Sequence, residues 1–498
     1  MCDLLLEQPE AGVTAAQIQG TLEEARSLRR GDDPLQASRL LIKVIRQDPT
    51  HHYAYAELAV SLFTLGLMDR AIGAFREAVR IKDDNELYFV NFSAILHHAG
   101  HFEECIKIGM KALELNPASG LAHMNLGLSH FSLRHWEKGI YHFEQAVQYN
   151  PNNSGAWMNL GLGYENLARD EEAEGCFERA LKLEPQNSEI KLSLGINRLK
   201  NGHFKEGWKY FSSRFDFKPA LNLRDDIELW TGQNLSGKTI HLYPEQGLGD
   251  LVQFIRFAKT LNDQGARVFA TVPRRLKELL ATVPGIERCL APDEQAPVCD
   301  FQSTVMELPR WLGIDASNMV LPQGYLEAPA LSLEKRTKLE SVGDNLKVGV
   351  VWAGNPSHIN DSRRSMCFDD IAPLLNIEKI TLVNLQMGER ANQLWDHPQA
   401  QAVINGVEED VSALNTASLV KELDLVITVD TYVAHLCGAL GVPTWVLVAR
   451  NPDWRWLGKG SESAWYKSVR LFRQGESSSW GPVVTEVIEA IAEMTLDR

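Results

Sequence analysis

Apolar and polar residues alternate along this chain in two different rhythms. From Asn150 the stretch NPNNSGAWMNLGLGYENLARDEEAEGCFERALKLEP reads as two short amphipathic helices, with small residues where they cross and a proline after the second. Beyond about residue 239 the rhythm changes. TIHLY, ARVFATVP, LKVGVVWAGNP, KITLVNLQMG, LDLVITVDT and PTWVLVA are short runs rich in valine and isoleucine, separated by helical stretches such as LVQFIRFAKTL and RRLKELLATV. Such runs predict strands buried on both faces of a parallel sheet, and their alternation with helices predicts doubly wound α/β domains. Two are expected, over residues 218–340 and 341–498, with the polar stretch ALSLEKRTKLESVGDNLK as the seam.

The first half repeats. Pro117, Pro151 and Pro185 follow one another at a constant step of 34, with Pro49 two steps before the first. Ala78, Ala112, Ala146 and Ala180 keep the step, as do Gly127, Gly161 and Gly195, with Ala59 and Ser93 in the earlier places. Phe75, Phe143, Phe177 and Phe211 form another column, in which Gly109 fills the gap. This pattern resembles the tetratricopeptide repeat (TPR), a helix–turn–helix of that length. Five copies are expected from about Asp48 to Phe217, and a degenerate helical pair from about Ala15 as a cap, so that residues 1–217 form a TPR superhelix. Stacking buries the face that one pair cannot bury alone and leaves a concave groove suited to an extended peptide or a partner protein. Asn125 and Asn159 recur at one position, with Asn91 and Ser193 before and after. They either bond a bound peptide's backbone or bond within the repeats and face solvent. His97, His98, His101, His123, His130, His135 and His142 are expected on the surface and groove rather than at a metal.

A length of 498 residues exceeds one core, so two to four domains are expected. The composition, 44% hydrophobic and 23% charged, is that of a globular protein. A net charge of −15 argues against nonspecific binding to nucleic acid or to an anionic membrane surface. No window reaches the roughly 18 apolar residues of a membrane span. The stretch MCDLLLEQPEAG lacks a basic n-region and does not read as a signal peptide. The seven cysteines form no CxxC pair, which suggests reduced thiols, a cytoplasmic location and no metal site.

Candidate chemistry lies in the second half. GQNLSGKT, residues 232–239, matches the P-loop spacing but precedes a strand instead of following one, so it reads as a loop. EQGLGD follows IHLYP and opens a helix. Gly247, Leu248 and Gly249 permit a close backbone approach, and Asp250 is either a helix cap or a carboxylate placed to take a proton from a hydroxyl. In ITVDTYVAHLCGALGVP a strand ends at Asp430 and a helix opens at Thr431 or Tyr432, with His435 one turn on. A helix N-terminus at a strand's carboxyl end suits a diphosphate. In VVWAGNPSHINDSRRSM a buried strand runs into Gly354 and Asn355 and a loop with Arg363 and Arg364, which suits phosphate or is a solvated turn.

EQGLGD, VWAGNP with its following RRS, DLVITVDTYVAHLCGALG and PDWRWL occur in the order seen in the glycosyltransferase domain of bacterial TPR proteins, itself similar to the lipopolysaccharide heptosyltransferases. The resemblance covers residues 230–490. It implies a GT-B fold, two facing Rossmann-like domains with a nucleotide-sugar in the C-terminal one. It implies Asp250 as the base, with Gly247, Leu248, Gly249 and Gln253 beside it. Asp430, Thr431, Tyr432 and His435 would hold the donor diphosphate, and Arg363, Arg364 and Ser365 would line the donor side. Trp352, Asn355 and Gln386 would lie near nucleotide or sugar, and Asp453, Trp454 and Arg455 would close the cleft. Tyr432 stands where the family tends to carry a small residue. No Asp-x-Asp occurs, so a metal-independent reaction without cofactor is expected. The expected function is inverting transfer of a sugar to Ser or Thr of a protein acceptor, flagellin being one candidate. The alternatives are a scaffold that binds nucleotide-sugar without turnover, and a transferase acting on a lipid or saccharide.

Overall fold

The computed structural model describes residues 14–31, 33–217, 223–319, 324–407 and 412–496. The N-terminal stretch including Cys2, and the start of the segment expected to follow residue 217, lie outside them. The chain divides into two compact units, residues 1–186 and 187–498.

The first unit is a run of helical hairpins: Ala15–Arg30 with Pro34–Gln47, His52–Thr64 with Met68–Ile81, Glu86–His98 with Phe102–Leu115, Gly120–Ser132 with Trp136–Tyr149, and Ser154–Asn166 with Asp170–Leu183. The repeat columns have physical causes. Asn85, Ser119 and Asn153 occupy one repeating position, and each caps the helix after it by accepting from a backbone amide, Leu87, Ala122 and Ala156 respectively. The glycine and phenylalanine columns meet. A Cβ on Gly127 would lie 2.5 Å from the Phe143 ring, and one on Gly161 2.6 Å from the Phe177 ring. The helices of a hairpin approach so closely that only hydrogen fits opposite each ring. The pair at Ala15 begins with a capping box at Thr14 and buries Leu22, Ala25, Leu41 and Val44, so it forms a regular hairpin despite its weak columns.

Asn125 is buried. Its amide nitrogen donates to the Val90 carbonyl and to Ser93 Oγ, both at 2.9 Å, so it links successive hairpins. The histidines depart from a surface placement: His123, His130 and His142 are buried, and His123 Nδ1 lies 3.0 Å from His142 Nδ1. Their rings pack among Tyr149 and one another because burial of a neutral imidazole costs little when its nitrogens find partners.

The second unit opens with one more hairpin, Ser188–Lys200 with Phe204–Phe211, followed by two parallel sheets. Periodicity groups this hairpin with the repeats, whereas its packing is with the sheets. Trp208 lies edge-on to Trp454 at 5.3 Å and to Phe254 at 6.2 Å, and its indole donates to the Ile314 carbonyl. The first sheet holds β1 (Glu228–Leu229), β2 (Thr239–Tyr243), β3 (Arg267–Thr271), β4 (Ile286–Leu290) and β5 (Phe301–Thr304), in the order β1-β5-β2-β3-β4. The second holds β6 (Leu346–Val351), β7 (Ile380–Asn384), β8 (Ile404–Asn405), β9 (Leu425–Val429), β10 (Thr444–Val448) and β11 (Val469–Arg473), in the order β11-β10-β9-β6-β7-β8. All pairings are parallel. The second order is that of a doubly wound α/β domain whose direction reverses between β6 and β9. Every residue of β9 and β10 is buried, as their unbroken apolar runs require. GQNLSGKT forms a turn before β2, with Lys238 paired to Asp300 at 3.0 Å.

Candidate functional site

Each sheet reverses direction once, and ligands of such sheets bind outside the carboxyl ends of the strands at that reversal. In the first sheet the reversal lies between β2 and β5, in the second between β6 and β9. The segments leaving β2, β6, β7, β9 and β10 carry the candidate residues, and those leaving β2, β9 and β10 meet one another.

Helix Leu248–Phe254 packs against helix Tyr432–Leu440. Gly249 makes this possible: a Cβ there would lie 2.8 Å from Cδ2 of His435. Asp250 is the third residue of its helix. One carboxylate oxygen accepts from the Gly247 amide at 2.8 Å, and the other pairs with Arg455. The capping role and the charged-cleft role therefore coexist in one side chain. Arg455 also donates to Asp453 at 2.8 Å, and Asp453 caps the short helical turn Trp454–Trp456.

The charges in this cluster shift one another. Burial pushes the Asp250 carboxyl up, against the pull of Arg455. Burial, then the Asp453 charge, pushes Asp430 up to about 6. Asp453 itself is drawn below the usual carboxylate range, because Arg455 outweighs the effect of burial. Burial, with Arg455 nearby, pushes His435 down to about 3, so its ring is neutral. His435 Nδ1 lies 3.0 Å from the Tyr466 hydroxyl, and its ring stacks on Trp456 at 5.2 Å. The neutral ring holds its hydrogen on Nε2 when the Tyr466 hydroxyl donates to Nδ1, and on Nδ1 when that hydroxyl accepts.

Helix Tyr432–Leu440 has Thr431 as its N-cap, without a side-chain cap bond, and Thr431 Oγ1 lies 3.0 Å from Thr428 Oγ1. The loop after β6 is fixed from within. Gln386 Oε1 accepts from the Trp352 and Ala353 amides at 3.1 and 2.9 Å. Ser365 Oγ accepts from the Gly354 amide at 2.9 Å and donates to Asp361 at 2.6 Å. Arg364 lies against Gly354, where a Cβ would be 2.7 Å from its guanidinium. Arg363 is exposed, and Asn355 folds its side chain onto the Ser357 amide. The Trp352 indole is wholly buried and donates to Gln393, and Trp454 is buried in the aromatic cluster around Trp208. Trp352, Trp454 and Gln386 thus hold the loops from behind.

Buried polar atoms without a partner gather here. Among the described residues they include both side-chain polar atoms of Gln253, Nε of Arg364, the Tyr432 hydroxyl and Nε of Arg455. Others lie elsewhere, among them Nδ1 of His241 and Nε of Arg336. Among the described residues no three His, Cys, Asp or Glu side chains converge as metal ligands, and no helix is long and apolar enough to cross a membrane. Two buried arginines carry no motif in the sequence: Arg214, and Arg256, which lies against Tyr325 and Tyr466 with no carboxylate partner among the described residues.

The family description of the tetratricopeptide repeat matches residues 22–86, and a second such description matches 120–153 and 154–187. The chain carries tetratricopeptide repeats. It is 28% identical over 324 residues to protein FlbA of Caulobacter vibrioides, covering 59% of this chain and 53% of FlbA. The chain thus spans about half the length of that relative. Solved structures similar to it include PilW, a type IV pilus biogenesis factor, at 18% identity and a TM-score of 0.39 over 42% of this chain and 97% of PilW. Pseudomonas aeruginosa PilF matches at 20% identity and a TM-score of 0.37, over 41% of this chain and 92% of PilF. MamA of Desulfovibrio magneticus matches at 19% identity and a TM-score of 0.33, over 35% of this chain and 99% of MamA.

Proposed function

We propose that the chain is an inverting, metal-independent glycosyltransferase of GT-B type, transferring a sugar from a nucleotide-sugar to a Ser or Thr hydroxyl of a protein recruited by the repeats. One observation carries this reading. The segments at the carboxyl ends of two parallel sheets meet at a carboxylate, Asp250, beside an arginine and the helix bearing a neutral histidine. In the proposed step Asp250 takes the proton of the acceptor hydroxyl, whose oxygen attacks the anomeric carbon. The bond from that carbon to the nucleoside diphosphate breaks, and its electron pair leaves with the phosphate oxygen. The amides opening helix Tyr432–Leu440, His435 in its Nε2–H form and Arg364 would meet the leaving charge. Asp430 and Thr431 would stand beside that diphosphate. Because Arg455 occupies one Asp250 oxygen, the base becomes available when the guanidinium turns to the donor phosphates.

The full engagement of Asp250 favours one rival, a donor-binding domain without turnover that serves a repeat scaffold. Asp250→Asn separates the two, since it keeps shape and removes the base. Wild type should consume one nucleotide-sugar from a panel and add the sugar's mass to a protein acceptor, flagellin among those offered. The variant should lose at least about a hundredfold in rate while still binding donor. Turnover at near wild-type rate by Asp250→Asn would refute the assigned base, and a wild type that binds donor without consuming it would favour the scaffold.

A further inference from the structure

The first sheet's own reversal, between β2 and β5, is already filled. Glu245 follows β2 and Glu307 follows β5, and one guanidinium meets both. Arg214 donates through Nε to Glu245 Oε1 at 2.5 Å, through Nη2 to Glu245 Oε2 at 2.7 Å, and through Nη1 to Glu307 at 2.8 Å and to the Phe211 carbonyl at 3.0 Å. The Phe211 and Phe215 rings each lie 4.3 Å from its central carbon. Ser212 donates to Glu307, and Thr304 to Glu245 at 2.8 Å. Side-chain exposure is 8% for Arg214, 10% for Glu245 and 12% for Glu307, so this is a buried, nearly saturated network. Arg214 belongs to neither sheet's own loops. It stands in the turn directly after the hairpin Ser188–Phe211.

We infer that Arg214 is a positioning residue for Asp250, an inference resting on the transferase reading above. Glu245 and Asp250 share one short segment, Glu245-Gln246-Gly247-Leu248-Gly249-Asp250, which runs from the end of β2 into helix Leu248–Phe254. Its fixed points include the Glu245 carboxylate, held by Arg214, the Gly247 amide, held by Asp250 itself, and Gly249, packed against His435. The same hairpin holds the opposing loop. Trp208 packs on Trp454, Lys200 Nζ donates to Asn451 Oδ1 at 2.6 Å, and the Lys200 carbonyl accepts from the Gly458 amide at 3.0 Å. The hairpin and the turn that follows it therefore grip both segments that bring Asp250 to Arg455. The turn also neutralises Glu245, whose charge pushes the Asp250 carboxyl up.

Arg214→Met and Arg214→Lys in the full chain test this by two separate readouts. The first is amide hydrogen exchange over residues 243–254, with β10 as internal control. Arg214→Met should speed exchange there and leave β10 unchanged, and Arg214→Lys, which keeps the charge but not the fork, should fall between. The second is turnover of whichever nucleoside diphosphate sugar the wild type consumes. Arg214→Met should lower kcat on the order of a hundredfold, with donor KM within about twofold, and Arg214→Lys should recover part of it. The acid limb of the rate profile should move to higher pH in Arg214→Met. Wild-type exchange over 243–254 in Arg214→Lys and Arg214→Met would overturn the inference, as would loosened exchange with unchanged kcat. If Arg214→Met does not fold, Arg214→Lys alone carries both readouts. A wild type that consumes no donor sinks the transferase reading, while the exchange result still decides whether Arg214 holds the segment.

Discussion

Arg455 stands between Asp250 and Asp453, and Asp430 lies close enough to feel Asp453 and Arg455. Burial raises two of these three carboxyls, Asp250 and Asp430, and with the Asp453 charge added it takes Asp430 to about 6. Its consequence for stability has a definite sign. A carboxyl whose folded value, about 6, exceeds its ordinary 3.8 binds its proton better in the native state. Stability from this group is therefore present below pH about 4 and lost as pH rises towards 6. Asp430→Asn should remove that loss. We expect the variant to match wild type at pH 4 and to exceed it at pH 7 by on the order of 2 kcal/mol, allowing for partial exposure, as measured by urea unfolding at both values. A wild-type advantage at pH 7 would show that the ionised carboxylate is well compensated. His435 acts in the opposite sense: its depressed value means stability is lost as pH falls from 6.5 towards 3.

At the scale of elements, small residues decide which helices can meet. Gly161 faces the Phe177 ring inside its hairpin, and Gly249 faces His435 between the two α/β halves. The ring of Phe177 is wholly buried and cannot swing out to admit a methyl group. Gly161→Ala should gain slightly in helix propensity and lose more by overpacking, a net destabilisation of about 1–3 kcal/mol in denaturant unfolding. An unchanged or raised midpoint would mean that the hairpin spreads at little cost. The asparagines follow a similar logic. Asn85, Asn153 and Asn187 serve as helix caps, whereas Asn125 ties one hairpin to the next through its amide nitrogen. A residue type that looks uniform along the repeat thus has two jobs, set by whether it precedes the helix or lies within it.

For the whole molecule, the hairpin Ser188–Phe211 marks where the second unit begins. Without it and the turn Ser212–Asp216 that follows it, Trp454, Phe254 and Trp465 would lose the aromatic neighbours Trp208, Phe204 and Phe211, and Glu245 and Glu307 would be left buried without their cation, Arg214. Removing one partner of a buried ion pair costs about 3–5 kcal/mol, a large part of a domain's stability. A fragment spanning 187–498 should elute as a compact species and melt in one transition. A fragment spanning 218–498 should aggregate or melt at least about 10 °C lower. Equal melting of the two fragments would show that the hairpin is dispensable to the sheets.

The sequence alone determined the helical hairpins and the long buried strands of both sheets. Periodicity is a local property: a 34-residue step of glycine, alanine and phenylalanine marks hairpins, and unbroken valine and isoleucine runs mark parallel strands. The strands β1, β4, β5, β8 and β11 escaped it because they are short or carry polar residues, and sheet order enlists them through pairing rather than pattern. EQGLGD and DTYVAH stood out as breaks between a strand and a helix. What only the tertiary structure decided is which breaks face each other. Asp250 and Arg455 are some two hundred positions apart, as are Arg256 and the Trp465 carbonyl that accepts from it. Such pairs follow from how two sheets and a hairpin close on one another, and burial then sets their charge states through the loss of water.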